Sequence, residues 1–351
     1  MLLSCIAESV RDLGGGRPVI FPTPDQRAFL PRKGRSRAVD PAKVRTGVPN
    51  SEEGRAMPET DPLDSVSNRY PNSARIWNYH LDGKDNFAID REAAEAANAM
   101  AREIGTPTGP EAAREGRHLL QRMVDFMAGQ GVRQFLDLGS GFPNMANTHQ
   151  IVHRADPGAR VIYVDLDPVV SNHQTALMAG PNVLTLNADL REPEQVLADK
   201  HVRELFDFDQ PVGIFFICLL HCLWDNEDPW GIVWRFRDAV APGSYLAISH
   251  LVNEGAHRKA ADALFEMSQN WSAPLVSRSR EDVARFFDGF ELVEPGLVTP
   301  ALWRPDLQDP LRISSAGSGQ SQPVVGNVPV GPVSGVGGVE SHLCGVGRKT
   351  G

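Results

Sequence analysis

Cysteine is scarce: 351 residues contain four, Cys5, Cys218, Cys222 and Cys344. None has zinc-site spacing, and so few thiols cannot build a disulfide framework. Cys218 and Cys222 stand in an apolar run and read as two buried thiols. Long apolar stretches are missing too, and none approaches the ~18–20 residues that a spanning helix needs. Met1–Val10 is apolar but lacks the basic flank of a secretory signal, so a cytoplasmic location is expected. Positive charge is in deficit, with 35 Lys and Arg against 44 Asp and Glu and a net charge of −9. That balance argues against nucleic acid as the main partner and suits small molecules or a basic partner. No internal repeat is visible.

The chain does have enough apolar residues, 41% against 23% charged, to bury a sizeable core. Its 27 prolines and 32 glycines gather toward the two ends. Residues 1–65 read as a disordered tail, because Pro31-Arg-Lys-Gly-Arg-Ser-Arg37 has no apolar period to offset the entropy of ordering. An anion-binding arm is the alternative for that segment. Met57-Pro-Glu-Thr-Asp-Pro has the look of a conventional start. Residues 313–351, rich in Gly, Ser and Val, read as a flexible tail. Residues 66–130 are expected to form a helical cap or lid and 131–312 the main domain, with helical spacing at 90–104 and 111–129.

The main domain alternates. Short β-rich runs at Arg133–Leu138, Arg160–Val164, Val183–Asn187, Val212–Leu219 and Tyr245–Ser249 are separated by helical stretches. A helix at 256–270, another at Arg280–Asp288 and a strand at Glu291–Glu294 follow. Strands alternating with helices imply βαβ units and an α/β, doubly wound, mostly parallel sheet. Ligands in such sheets bind beyond the carboxyl ends of the strands, so functional residues are sought there.

The first strand ends in Asp137-Leu-Gly139-Ser140-Gly141, where two glycines let the backbone turn tightly and come close to a ligand. A dinucleotide fingerprint would place a third glycine where Asn144 stands, and Pro143 constrains the same loop. A nicotinamide-dependent oxidoreductase is therefore disfavoured. Asp-x-Gly-x-Gly after an aliphatic strand instead resembles the first motif of class I S-adenosylmethionine (SAM) methyltransferases. The second strand ends in Asp165-Leu166-Asp167-Pro168. Asp165 is expected to accept hydrogen bonds from both ribose hydroxyls, and Asp167 to cap a helix with Pro168 at its first position. The third strand ends in Asn187-Ala-Asp189-Leu190, where a short carboxylate could hold the adenine amino group. His221, after the fourth strand, would point at the acceptor. A base is required only if the acceptor must lose a proton, and a structural role for this histidine weighs equally.

From about Pro71 to Asp306 the chain closely resembles the actinobacterial S-adenosyl methyltransferase family, once catalogued as a domain of unknown function. The segments that carry the resemblance begin with Pro71-Asn-Ser-Ala-Arg-Ile-Trp-Asn-Tyr-His-Leu-Asp-Gly-Lys-Asp-Asn-Phe-Ala-Ile-Asp-Arg91. Phe135–Pro143 with Asn147-Thr-His149, Tyr163–Pro168 and Ala188–Arg191 follow. The last are Ala241–Leu246 with Ser249-His250, and Phe286–Pro295. In the family a small hydroxyl residue often stands where Asn144 sits, and the segment after the fourth strand has fewer cysteines.

The resemblance implies a Rossmann-like class I fold with a seven-stranded sheet, SAM as cofactor and no metal. It implies Asp137, Gly139, Ser140 and Gly141 at the methionine end, Asp165 and Leu166 at the ribose, and Asp189 and Leu190 at the adenine. Arg75–Arg91 is expected to fold over the crevice as a lid, with Asn86 touching the cofactor; a helix–turn–helix brace is the alternative. His221 leads the acceptor-side candidates, with Tyr79 and His250 behind it. A non-catalytic SAM-binding regulator is the second reading. Acceptor pockets in this fold are built from variable loops, so the resemblance names the donor and not the acceptor.

Overall fold

The runs read as strands form one sheet. They are β1 (Gln134–Leu138), β2 (Arg160–Asp165), β3 (Val183–Asn187), β4 (Val212–Ile217) and β5 (Tyr245–Leu251), joined by β6 (Phe290–Leu292) and β7 (His342–Lys349). The computed structural model describes residues 69–143, 146–178, 180–307 and 341–351. All of these lie in one unit, Met57–Gly351. The expected N-terminal tail, Asn144 and residues 313–340 lie outside the described residues.

The sheet order is β3-β2-β1-β4-β5-β7-β6. The first five strands are mutually parallel and β7 runs antiparallel to both its neighbours. Seven strands with helices on both faces is the expected Rossmann-like α/β class. The order reverses between β1 and β4, which places the ligand crevice at the ends of β1, β2 and β4.

Strand alternation sends neighbouring residues to opposite faces, and each face has its own core. Leu136, Ile214, Phe216, Leu246 and Ile248 pack with Val196, Val202, Ile232 and Phe236. Those partners come from α6 (Pro193–Ala198), α7 (Lys200–Leu205) and α8 (Pro229–Asp238). Phe135, Val161, Tyr163, Phe215 and Ala247 pack with Leu119, Met123 and Met127 of α3 (Gly109–Gly129). Ile151 of α4 (Thr148–Val152) joins the same face. β1 and β5 are buried along their whole length, as strands covered on both faces should be.

The tail expected at 313–351 is corrected at its end: β7 inserts between β5 and β6. Its glycines suggest a linker, but they serve packing. A Cβ on Gly347 would lie 2.7 Å from Phe290 and 2.9 Å from Phe287, and one on Gly345 would lie 2.8 Å from Leu297. The other differences are at boundaries. The helix expected at 256–270 is α9 (Arg258–Ser268), and the one at 280–288 is α10 (Arg280–Arg285).

The cap expected over 66–130 is reduced to α1 (Ser73–His80) and α2 (Ala88–Ile104), because α3 covers a face of the sheet. Asn72 caps α1 by accepting from the Arg75 N–H at 3.1 Å. Fully buried Asp90 accepts from the Phe87 and Asn72 N–H groups at 2.8 Å each, and its carboxylate lies 3.1 Å from the Arg75 guanidinium. One carboxylate thus pins the starts of both helices together.

Candidate active site

The glycine loop after β1 is held from two sides. Gly139 has φ +63° and Gly141 φ +67°, both in the left-handed region. The Gly139 N–H donates to the Val164 carbonyl at 2.8 Å, and a Cβ there would overlap the Leu219 side chain. Gly141 is different: no heavy atom of the described residues lies within 4 Å of where its Cβ would be. Its N–H donates to Asp165 Oδ2 at 2.9 Å, while the Asp167 N–H donates to Oδ1 at 3.0 Å. On α5 (Pro168–Leu177), Gln174 donates from Nε2 to Ser140 Oγ at 2.8 Å and to the Gly141 carbonyl at 2.7 Å. The Ser140 hydroxyl is thereby turned toward α5.

The carboxylates at the strand ends differ in environment. Asp165 is half-buried, and burial raises its pKa to about 6 against the pull of its two backbone donors. Burial likewise raises Asp137 to about 6, opposed by the Thr148 hydroxyl at 2.7 Å and by Arg117. Arg117, from α3, donates to the Ala146 carbonyl at 3.1 Å and to Asn147 Oδ1 at 3.2 Å. Leu166, next to Asp165 in the chain, is 54% exposed. Asp167 caps α5 as expected, accepting from the Val169 N–H at 2.8 Å, and also accepts from Asn72 Nδ2 at 3.4 Å.

Asp189 is not held open. Arg191 donates from Nε to both of its oxygens at 2.9 Å and from a terminal nitrogen at 2.7 Å, and also reaches Glu227 at 2.8 Å. Leu190 packs half-buried against the core. Asn86 is engaged within its own turn: its amide donates to Asn78 Oδ1 and the Gly83 carbonyl at 3.0 Å each, and its oxygen accepts from Arg91. The Tyr79 hydroxyl donates to Glu95 of α2 at 3.0 Å. Fully buried His250 donates from Nδ1 to the Leu251 carbonyl at 2.6 Å and accepts from Arg278 at 2.8 Å. Both ring nitrogens are used, and burial with the Arg278 charge lowers its pKa to about 3. Asn86, Tyr79 and His250 therefore have structural partners, for reasons of local packing that sequence spacing does not display.

His221 is placed otherwise. It sits on a single turn, Leu220–Cys222, after β4 and is 5% exposed. Its ring meets His250 edge-on at 5.6 Å and His342 at 6.4 Å between centroids. Nδ1 has no hydrogen-bond partner among the described residues. Burial, and then its His250, His342 and Arg278 neighbours, hold the imidazole well below its ordinary pKa. The ring is neutral. Among the described residues no group of three or more His, Cys, Asp or Glu is arranged to hold a metal ion.

Two outer segments meet at the rim. The Ser272 N–H donates to the Pro71 carbonyl at 2.8 Å, joining the segment after α9 to the start of the cap. The Val276 N–H donates to the His221 carbonyl at 2.7 Å, and Asp85 lies 3.8 Å from His173 of α5. Sequence reasoning assigned nothing to Arg117, Gln174, Arg278 or His342. Pro71 and Asp85, in contrast, lie in the Pro71–Arg91 segment already singled out.

With this geometry in view, the profile of the S-adenosyl methyltransferase family matches residues 59–329. The chain belongs to that family. A candidate methyltransferase from Thermobifida fusca is 37% identical, covering 83% of this chain and 99% of its own, with a TM-score of 0.67. A DUF574 family protein from Streptomyces avermitilis is 29% identical over 82% of this chain and 99% of its own, with a TM-score of 0.65. No curated protein matches the chain. The methyltransferase uses SAM as methyl donor, and its loop fits that group: Gly141, whose N–H is joined to Asp165, has open space among the described residues where a Cβ would stand. Among the described residues no helix is long and apolar enough to cross a membrane.

Proposed function

We propose that this methyltransferase acts on a small-molecule acceptor in the crevice beyond β1, β2 and β4, with the strand-end residues dividing donor from acceptor. The observation that carries the reading is the joint between Gly141 and Asp165, which leaves open space in front of the glycine. Bound SAM supplies a methyl group already activated on a sulfonium. The protein's part is then orientation and exclusion of water.

Asp165 keeps acceptor capacity for the ribose hydroxyls, and Leu166 offers an apolar face to adenine. Gly139, Ser140 and Gly141 carry the methionine end on a loop braced by Gln174, with Asp137 and Arg117 behind it. Asp189, tied to Arg191, shapes the adenine wall together with Leu190 and does not offer a free carboxylate. Asn86 orders the lid turn by its hydrogen bonds to Asn78 and Gly83. His221, neutral and with Nδ1 free of partners among the described residues, orients the acceptor. Its depressed pKa suits a hydrogen-bonding role better than that of a general base, which works best near the operating pH. Both similar proteins come from actinobacteria, which supports an actinobacterial source, and the cytoplasm is where SAM is made.

Calorimetry with SAM tests the donor half. Wild type should bind saturably, and Asp165→Ala should bind about tenfold or more weakly, the loss of one or two hydrogen bonds to a charged group. Unchanged affinity in Asp165→Ala would remove the ribose assignment. Incubation with labelled SAM and a metabolite extract should yield a methylated small molecule.

A further inference from the structure

We propose that the acceptor is an uncharged aromatic molecule carrying a hydroxyl or N–H group, seated between Trp77 and the His221–His342 pair. The inference rests on the crevice being the methyl-transfer site and adds the chemistry of its unassigned half. Three elements distant in sequence build that half: α1 supplies Trp77, the end of β4 supplies Cys218 and His221, and the start of β7 supplies His342.

The proximity is visible at Gly116 of α3. A Cβ there would lie 3.3 Å from the Trp77 ring and 3.7 Å from Cys218 Sγ. Cys218 adopts φ +53°, unusual for a residue with a side chain, and its N–H donates to Ser249 Oγ at 2.9 Å. His342 pairs with Leu251 across β5 and β7, which brings its ring to His221.

Trp77, Cys218, Cys222 and His342 all keep accessible surface. Burial nevertheless moves the two thiols to about 11 and about 12, and the His342 imidazole to about 4. Each of these groups thus keeps some solvent contact while most of its surroundings are protein. Beside them, His221 Nδ1 is buried without a partner among the described residues, and a buried polar atom left so costs about 1–3 kcal/mol. A ligand's O–H or N–H would satisfy it.

Charge sets the rest. The cation nearest His221 is Arg278, and all five of its N–H donors are used. They go to Asp225, to the Leu220 and Leu223 carbonyls and to His250. Arg117 belongs to the donor side, where it faces Asp137 and holds the Ala146–Asn147 turn. The carboxylate felt by Cys222 is Asp165, assigned to the ribose. Among the described residues, a charged acceptor would meet no open counter-ion here, and desolvating an unpaired ion is costly. A flat neutral ring instead finds an indole and imidazole edges, with the geometry aromatic pairs favour.

The test uses the full chain saturated with S-adenosylhomocysteine and three probes sharing one ring: 4-ethylphenol (neutral), 4-hydroxyphenylacetate (anion) and tyramine (cation). Ligand-observed NMR at pH 7.5 should show 4-ethylphenol binding at least tenfold more tightly than either charged probe. Trp77→Ala should abolish the preference, Trp77→Phe should restore it, and His221→Ala should weaken 4-ethylphenol about tenfold. All three variants should keep their affinity for S-adenosylhomocysteine by calorimetry. Normal S-adenosylhomocysteine binding without a preference for the neutral ring, or with no 4-ethylphenol binding, overturns this inference alone. Failure to bind S-adenosylhomocysteine overturns the donor reading with it.

Discussion

Asp137 and Asp165 are the residues through which pH should act. Both titrate at about 6 in the folded protein, raised from 3.8 by burial. A carboxyl whose folded pKa is raised favours the fold most below its unfolded pKa, and that contribution disappears as pH rises through the folded value. Without ligand, these two groups therefore disfavour the fold progressively between pH 4 and pH 6, the span of the cited shifts. Hydrogen bonds from a ribose favour the ionised form, so SAM affinity should move the other way. Through Asp165 we expect calorimetric Kd values to weaken by about tenfold for each pH unit below 6, and a Kd flat from pH 5 to 8 would contradict the assignment. Gly139 provides a second residue-scale prediction. Ala there meets both a left-handed φ and the Leu219 side chain, so Gly139→Ala should lower stability by about 1–3 kcal/mol in denaturant melts and weaken SAM.

At the scale of elements, the link between α1 and α2 depends on one buried pair. Removing one partner of such a pair leaves an uncompensated charge, which typically costs about 3–5 kcal/mol. Asp90→Ala should therefore melt the cap, seen as early amide exchange across residues 73–104, while β1 and β4 keep their protection. Equal loss of protection in cap and sheet would show that the cap is not a separate unit. β7 is the other telling element. Gly347→Val should drive a branched side chain against Phe287 and Phe290, with a loss of about 1–3 kcal/mol. A linker, which the composition suggests for these residues, would tolerate the same change within about 0.5 kcal/mol. The cap of α5, in contrast, was legible locally: Asp167 with Pro168 acts within two residues of itself.

For the whole molecule, the arrangement of cap, sheet and the segment after α9 decides where a ligand can sit. Asn72 to Asp167 and Asp85 to His173 are the cap's links to the donor side. Asn72 also caps α1, so Asp85→Ala is the cleaner probe: it should weaken SAM severalfold in calorimetry with no change in Tm. An equal loss of Tm would make the segment a brace and not a lid. The sequence alone determined the mostly parallel sheet, the glycine loop and the order of strand-end carboxylates, because each follows from short-range pattern or backbone stereochemistry, and its resemblance to a known family named the methyl donor. Tertiary structure alone decided which side chains remained available. Asp189 is taken up by Arg191, His250 by Arg278 and Tyr79 by Glu95, whereas His342 arrives from a glycine-rich end to stand beside His221. A side chain's availability depends on its partners in space, and most of those partners come from other parts of the chain.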